Sequence, residues 1–185
     1  TMGAHCSPIG EMIFDNFPIP VTNRLGNEGD GFKICMWQLN QPRLNCAAGA
    51  LGVARASKEA AVSYCNQRVQ FGQKIGEFQM NQDLIAQMIA HEEAARLLVY
   101  RAAWLADQKQ PNNLETSIGK YSAAEAANFA ADAAMKILGA YGYSTEFPVE
   151  RYYRDAKSYQ IVEGSSNVQK MIIAQDALGS RKANR

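Results

Sequence analysis

The chain has 185 residues, of which 47% are hydrophobic and 20% are charged, and its formal net charge is +1. This length is enough to bury one sizeable core. The near-neutral charge argues against a nucleic-acid-binding surface and against an acidic solvating tail. No apolar run approaches the length of a membrane span, and the first residues show no signal-peptide pattern.

Cysteine and histidine usage limits the kinds of site the chain can hold. The four cysteines lack metal-ligand spacing and are expected to be buried thiols in a reducing compartment: Cys6, Cys35, Cys46 and Cys65. The two histidines, His5 and His91, have no cluster around them, which argues against a zinc site or a Ser-His-Asp triad. No G-x-G-x-x-G motif follows a strand pattern, so a Rossmann-type nucleotide site is not expected.

The first part of the chain differs from the rest. Residues 11–15 place three apolar residues between two acidic ones, and Pro18 and Pro20 impose an extended path. This pattern predicts one or two strands and a loop, too little to form a stable sheet unaided. A Gly-Asp-Gly turn at 29–31 marks the boundary, so residues 1–30 and 31–185 are expected to be separate units.

Apolar residues then recur at helical spacing, which predicts three long helices and a terminal one packed as an antiparallel four-helix bundle. The helix rich in alanine is expected to be central, because small side chains let helices approach closely. Residues 73–78 are expected to form a loop that is ordered if Phe71 and Phe78 pack together. The expected helices, in chain order, are 32–41 with a bend near Pro42, Arg43 to before Gly72, about 79–107, about 114–139, a short helix from Pro148, and a last one from after Ser165 to about Leu178.

The loop before the last helix carries the strongest candidate for chemistry. Glu163 follows an apolar pair and precedes Gly164, with Ser165 or Ser166 as the helix N-cap. A carboxylate against apolar neighbours can have a raised pKa and act as a base. The alternative is a capped loop with a solvated glutamate.

The loop belongs to a set of three sequence motifs that occur in a particular order along the chain. Residues 159–165 read YQIVEGS, residues 142–151 read GYSTEFPVER with RDAK at 154–157, and residues 68–75 read RVQFGQKI. Together they resemble the acyl-CoA dehydrogenase family, over essentially the whole chain. The resemblance implies that residues 1–30 are the end of the family's middle β-domain with a linker, and that residues 31–185 are its C-terminal helical bundle. A C-terminal piece of a longer protein is therefore expected, the alternative being a short protein with a decorated N-terminus.

The resemblance also implies an activity. Family members use FAD to dehydrogenate an acyl-CoA thioester: a base in the position of Glu163 removes the pro-R α-proton while hydride leaves the β-carbon for flavin N5. The thioester carbonyl is held by the backbone amide of that glutamate and by a flavin hydroxyl. Some members place the base on the first long helix instead, but Asn40, Gln41 and Pro42 offer no carboxylate there. Val162 stands where tyrosine is frequent in the family.

Further residues are assigned by the same resemblance. Substrate contacts are expected at Arg43 and Gly164, with a helix-surface charge as the alternative for Arg43. The residues implied in FAD binding are Arg68, Phe71, Gln79, Lys136, Gly139, Ser165 and Asn167. A surface salt bridge is the alternative for Arg68. At Lys136 the family usually has glutamine, and Ala140 replaces a glycine, where its Cβ would crowd a close backbone approach.

The implied partners are an acyl-CoA substrate, an electron-transferring flavoprotein and further copies of the chain, because the family shares FAD between subunits of a homotetramer built as a dimer of dimers. The implied compartment is the bacterial cytoplasm or the mitochondrial matrix. Rival readings are an acyl-CoA oxidase, reductase or decarboxylating dehydrogenase on the same scaffold. A helical oligomerisation or binding module without catalysis is the rival from another class. No E-x-x-H pair supports a di-iron site.

Overall fold

A computed structural model describes residues 1–184, except for the side chains of Asn40 and Gln41. It confirms the mainly helical fold. The helices are α1 (Gly31–Gln38), α2 (Asn40–Gln67), α3 (Gln79–Asp107), α4 (Asn113–Leu138), α5 (Val149–Tyr159) and α6 (Ser166–Ala177). Every helix in the described residues is too short or too polar to span a lipid bilayer.

The alanine-rich helix α4 is central, as its composition predicts. It packs against α2, α3, α5 and α6. Its interior alanines are almost completely buried: Ala123, Ala124, Ala126, Ala127, Ala130, Ala131, Ala133 and Ala134. Short side chains on α4 allow its neighbours to approach closely, so one helix can support four others.

The predicted break between the first two helical segments is confirmed. The helix α1 ends at Gln38 and α2 begins at Asn40, so Pro42 falls in the first turn of α2. A proline is tolerated there because the N–H groups of the first turn have no partner within the helix. The interruption between the two helices therefore falls at Leu39, three residues before the proline.

The connection between α2 and α3 contains a small hairpin rather than a plain loop. The strands β1 (Val69–Gln70) and β2 (Gln73–Lys74) pair antiparallel around Phe71 and Gly72. Both turn residues have positive φ, 52° and 82°, as a two-residue type I′ turn requires. The Phe71 ring packs edge-on against Phe78 at 6.2 Å, which meets the condition expected for an ordered segment.

The strand predicted near residues 11–15 is not formed. Within residues 1–30 the structure shows one 3-10 turn, Val21–Asn23, and no strand. A strand needs a neighbour to complete its backbone hydrogen bonds, and the described residues place none beside this segment. The segment is instead tied to α5, where the Ala4 N–H donates to the Asp155 carboxylate at 2.6 Å.

The expectation of four buried thiols is wrong for two of them. Cys46 and Cys65 are buried within the bundle, whereas Cys6 and Cys35 are exposed. The exposed thiols lie in the N-terminal segment and on α1, and α1 buries none of its residues. These parts of the chain lie outside the core that α4 organises.

Thiol labelling should therefore divide the cysteines into two pairs. Burial raises the pKa of the Cys46 and Cys65 thiols, which lowers their thiolate fraction as well as their access to reagent. We expect iodoacetamide at about pH 8 to modify them at least about tenfold more slowly than Cys6 and Cys35. Peptide mass spectrometry measures each rate, and equal rates for all four would contradict the burial described here.

Candidate active site

Glu163 lies in the loop between α5 and α6 with an unusual backbone conformation. Its φ is 54° and that of the following Gly164 is 81°, so both residues are in the left-handed region. For a non-glycine residue this conformation costs about 1–3 kcal/mol and must be held by its surroundings. Ser165 caps α6 as expected: its Oγ accepts a hydrogen bond from the Val168 N–H at 3.4 Å.

The half-buried Glu163 side chain faces a cleft of about 580 Å³. Apolar side chains from α1 and α6 form much of the wall, and basic side chains stand at one end. The lining includes Met36, Leu39, Arg43, Glu163, Gly164, Val168, Ile172, Arg181 and Lys182. Among the described residues, the Glu163 carboxylate has no hydrogen bond or ion pair, which leaves its oxygens available to a bound molecule.

Arg43 is part of the wall of this cleft and not a helix-surface charge, since only 7% of it is exposed. Its guanidinium donates to Ser117 Oγ at 3.1 Å, to Gln169 Oε1 at 3.3 Å and to Asn113 Oδ1 at 2.5 Å. Burial lowers the pKa of Arg43, and the nearby Glu163 carboxylate opposes that shift. Arg43 thus supplies a fixed positive charge close to the candidate base.

Lys120 of α4, which the sequence pattern did not single out, lies beneath the loop. Its Nζ donates to the Tyr159 carbonyl at 2.7 Å and to the Gly164 carbonyl at 2.8 Å. The Gly164 carbonyl also accepts from Gln169 Nε2 at 3.0 Å. A signal did exist, because Lys120 falls at helical spacing within the otherwise uncharged buried face of α4.

Glu125, one and a half turns further along α4, fixes the same loop from another side. Its carboxylate accepts hydrogen bonds from Gln160 Nε2 and from Ser166 Oγ, both at 2.9 Å. The Ser166 N–H in turn donates to the Gln160 carbonyl at 2.9 Å. Both ends of the loop are therefore anchored to α4.

The residues expected to bind cofactor fall into two groups. Ser165 and Asn167 belong to the loop and the first turn of α6, beside Glu163. Gln79 and Lys136 line a different, open groove at the start of α3, with a volume of about 1140 Å³. No residue among those lining this groove also lines the Glu163 cleft.

The second group extends to the α2–α3 hairpin. Arg68 is half-buried, and its guanidinium lies 5.5 Å from the centre of the Tyr141 ring. Within the described residues it makes no salt bridge, so the surface-ion-pair alternative is not supported. Phe71 is at a left-handed position, and its side chain stays 93% exposed although its ring meets Phe78 edge-on.

Lys136 and Gly139 mark the end of α4. Lys136 Nζ pairs with Asp132 at 2.6 Å, one turn back on the same helix, and would have to share this contact with a ligand. Gly139 has a φ of 61°, and a Cβ placed there would have open space around it. Ala140 follows in an exposed 3-10 turn.

A metal centre is not part of this arrangement. In residues 1–184, as described, no group of three or more His, Cys, Asp or Glu side chains could hold a metal ion. The site combines a carboxylate without a partner, a buried guanidinium and an apolar cleft. Such a set suits proton abstraction from a bound organic substrate.

The chain is similar in sequence to known dehydrogenases over nearly its whole length. It is 56% identical over 185 residues to glutaryl-CoA dehydrogenase of Desulfococcus multivorans, covering 100% of this chain and 48% of that protein. It is 47% identical over 178 residues to an acyl-CoA dehydrogenase of Bacillus subtilis, covering 96% of this chain and 47% of that protein. The chain thus spans about half the length of these relatives.

Solved structures show the same similarity. A glutaryl-CoA dehydrogenase in complex with glutaryl-CoA superposes with a TM-score of 0.96 at 55% identity, covering 100% of this chain and 47% of that one. Butyryl-CoA dehydrogenase from Megasphaera elsdenii superposes with a TM-score of 0.84 at 44% identity, covering 86% of this chain and 42% of that one. The family model of the acyl-CoA dehydrogenase C-terminal domain matches residues 29–178. This chain therefore belongs to the acyl-CoA dehydrogenase family.

Proposed function

We propose that the protein containing this chain catalyses FAD-dependent α,β-dehydrogenation of an acyl-CoA thioester, with Glu163 as the base. The observation that carries this proposal is the Glu163 carboxylate, which lines an apolar cleft without a hydrogen-bond partner among the described residues. Arg43 stands in the same wall as a fixed cation. A base so placed can reach a substrate carbon without first breaking a contact within the protein.

Two atoms of Glu163 would act on the thioester. A carboxylate oxygen would take the α-proton, while the backbone N–H would donate to the thioester carbonyl and stabilise the charge that develops there. That N–H donates to no acceptor among the described residues, so it is available for this contact. The left-handed backbone at Glu163 and Gly164 exposes both groups at one loop.

The residues present fit an FAD molecule held between copies of the chain. Arg68 offers a guanidinium without an ion pair in the described residues, Phe71 an exposed ring and Gly139 open space for a close approach. Gln79 and Lys136 would bind beside them, whereas Ser165 and Asn167 would contact the cofactor bound at the Glu163 cleft. When bound, FAD supplies the acceptor for the hydride that leaves the β-carbon.

The separation of the two groups supports a dimer as the smallest active unit and a homotetramer as the full assembly. An exposed apolar stripe on α3 offers a further contact surface, since Leu97, Tyr100 and Trp104 are 66%, 61% and 57% exposed. These residues share one helix face at spacings of three and four. A tetramer would cover this stripe.

We propose a short dicarboxylyl thioester such as glutaryl-CoA as the substrate. The glutaryl-CoA dehydrogenase relatives support it, and Arg181 and Lys182 place positive charge in the cleft. A short unsubstituted acyl-CoA is the alternative, favoured by the names of relatives such as the short-chain acyl-CoA dehydrogenase of Megasphaera elsdenii.

Electrons would pass to an electron-transferring flavoprotein. One similar structure, 41% identical with a TM-score of 0.88, is described as an electron transferring flavoprotein of Acidaminococcus fermentans. The domains would be the end of a β-domain at residues 1–30 and the helical domain at residues 31–185. We propose a reducing compartment, the bacterial cytoplasm or the mitochondrial matrix; the name of a rat relative describes that protein as mitochondrial.

The test is an anaerobic titration of the purified flavoprotein with glutaryl-CoA, butyryl-CoA and longer acyl-CoAs, following the flavin absorbance. We expect glutaryl-CoA to bleach the flavin at the lowest concentration. Slow reoxidation in air and fast reoxidation by an electron-transferring flavoprotein would separate a dehydrogenase from an oxidase. Release of carbon dioxide would identify the decarboxylating variant of the reaction, and a protein without flavin would support the binding-module alternative.

Loss of the Arg68 guanidinium should weaken the binding of FAD specifically. We expect Arg68→Met to raise the flavin dissociation constant by about tenfold to a hundredfold, because a charge-assisted contact to a phosphate contributes about 1.5–3 kcal/mol. Arg55→Met is the matched control, since Arg55 lies on α2, the helix that ends just before Arg68, but is paired with Glu59 at 2.8 Å. Equal flavin affinities in the two variants would remove Arg68 from the site.

A further inference from the structure

The loop that carries Glu163 packs against one buried cation, the ammonium group of Lys120. Lys120 has no exposed surface, and its ammonium joins two carbonyls that stand at opposite ends of the segment 159–164. The donor–acceptor distances of 2.7 Å and 2.8 Å are those of strong charge-assisted hydrogen bonds. A single side chain of α4 therefore sets the distance between the end of α5 and the residue that follows Glu163.

Packing alone gives no reason for a cation at this position. Burial lowers the pKa of Lys120, which reflects the cost of removing an ammonium from water. The other buried residues of α4 are all uncharged, and an apolar side chain of similar length would fill the space without that cost. The two carbonyls are the groups that require this donor.

The backbone conformation of the loop indicates what the hydrogen bonds from Lys120 stabilise. Glu163 and Gly164 are consecutive left-handed residues, and such a backbone persists only when its surroundings determine it. Lys120 and Gln169 both bind the Gly164 carbonyl, so they fix the peptide directly after the base. The Glu163 side chain then has one direction, toward the cleft.

We propose that Lys120 is a positioning residue for the base Glu163, acting through the backbone carbonyls of Tyr159 and Gly164. This inference rests on the proposed dehydrogenation, because it assigns Lys120 to the proton-abstraction step. Lys120 does not line the cleft, so the proposal gives it no direct contact with the substrate. Its effect would appear in the rate of flavin reduction rather than in the binding of acyl-CoA.

The experiment uses the flavoprotein holoenzyme with Lys120→Met, which keeps an unbranched side chain that is one atom shorter and removes the donor. At saturating glutaryl-CoA we expect the anaerobic rate of flavin reduction to fall by about tenfold to a hundredfold, since small displacements of a reacting group cost this much. The dissociation constant for acyl-CoA and the flavin content should stay close to those of wild type. Amide hydrogen exchange of the peptide 159–166 should become faster, while α2 and α3 remain protected.

Asn128→Leu is the matched control. Asn128 also lies on α4 and donates to a carbonyl of α5, that of Ala156 at 2.8 Å, but it does not contact the Glu163 loop. We expect it to lower stability without slowing flavin reduction. Lys120→Gln, which retains one shorter donor, should give an intermediate rate and serves if the methionine variant does not fold.

The outcomes separate the two proposals. A reduction rate in both Lys120 variants within about twofold of wild type, or an equal loss in Asn128→Leu, would overturn the positioning role. A wild-type flavin that no acyl-CoA reduces would overturn the proposed dehydrogenation itself, and the role of Lys120 with it. Slow reduction with unchanged substrate affinity and local loosening of 159–166 would support both.

Discussion

Glu163→Gln should reduce the rate of flavin reduction by about a hundredfold to ten-thousandfold, the range expected when a general base is removed. Glutamine has nearly the same shape as glutamate and keeps the backbone N–H in place, but its amide cannot accept the α-proton. Acyl-CoA should still bind, because the cleft and Arg43 are unchanged. Anaerobic stopped-flow measurement of flavin absorbance at saturating substrate gives the rate directly.

The matched control is Glu146→Gln. Glu146 is also a loop glutamate, but it is exposed and lies in the turn before α5. We expect its replacement to leave flavin reduction at the wild-type rate. Reduction of the Glu163→Gln variant as fast as wild type would show that another group removes the proton.

Ala130→Leu should be the most damaging of the conservative core substitutions. Ala130 is 1% exposed on the central helix α4, so three added carbons have no space without displacement of a neighbouring helix. Overpacking of this kind costs about 2–3 kcal/mol, which corresponds to a decrease of about 5–10 °C in Tm for a domain of this size. Thermal unfolding followed by circular dichroism measures the change.

An exposed alanine provides the comparison. Ala48 lies on α2 with its side chain exposed, so Ala48→Leu adds the same carbons at the surface. Leucine and alanine are both good helix formers, and we expect a change in unfolding free energy below about 0.5 kcal/mol. Equal destabilisation by the two substitutions would contradict the close packing around α4.

The helices could be predicted because local pattern and tertiary packing agree in this chain. The bounds of α3 follow from its apolar periodicity, and the cap at Ser165 follows from a hydroxyl before an amphipathic run. The central place of α4 follows from its alanines. In each case the residues that form the element also indicate how it packs.

The features that could not be predicted depend on contacts between residues that are distant in sequence. Lys120 meets the Gly164 carbonyl across 44 positions of sequence, and Glu125 meets Ser166 across 41. No local pattern reports such a pair, although a lone lysine in an alanine-rich interior face is a usable signal. The strand expected near residues 11–15 failed for the same reason, since strand formation depends on a partner that local sequence does not specify.

The separation of the candidate site residues into two groups could not be predicted from local sequence patterns either. Arg68 and Phe71 precede Gln79 closely in sequence, but Ser165 and Asn167 lie at the other cleft. The resemblance to the family implied that FAD is shared between subunits, but no local pattern divides these residues into two groups. The positive φ at both Phe71 and Glu163 became visible only in the folded chain.

The most direct test of the central claim is a crystal structure of the Glu163→Gln flavoprotein with FAD and glutaryl-CoA bound. The account predicts that the side chain at position 163 lies about 3–3.5 Å from the α-carbon of the thioester, the distance of a near-attack arrangement. The thioester carbonyl should accept a hydrogen bond from the N–H of the same residue. A thioester whose α-carbon faces another carboxylate, or lies outside the cleft lined by Glu163, would contradict the account.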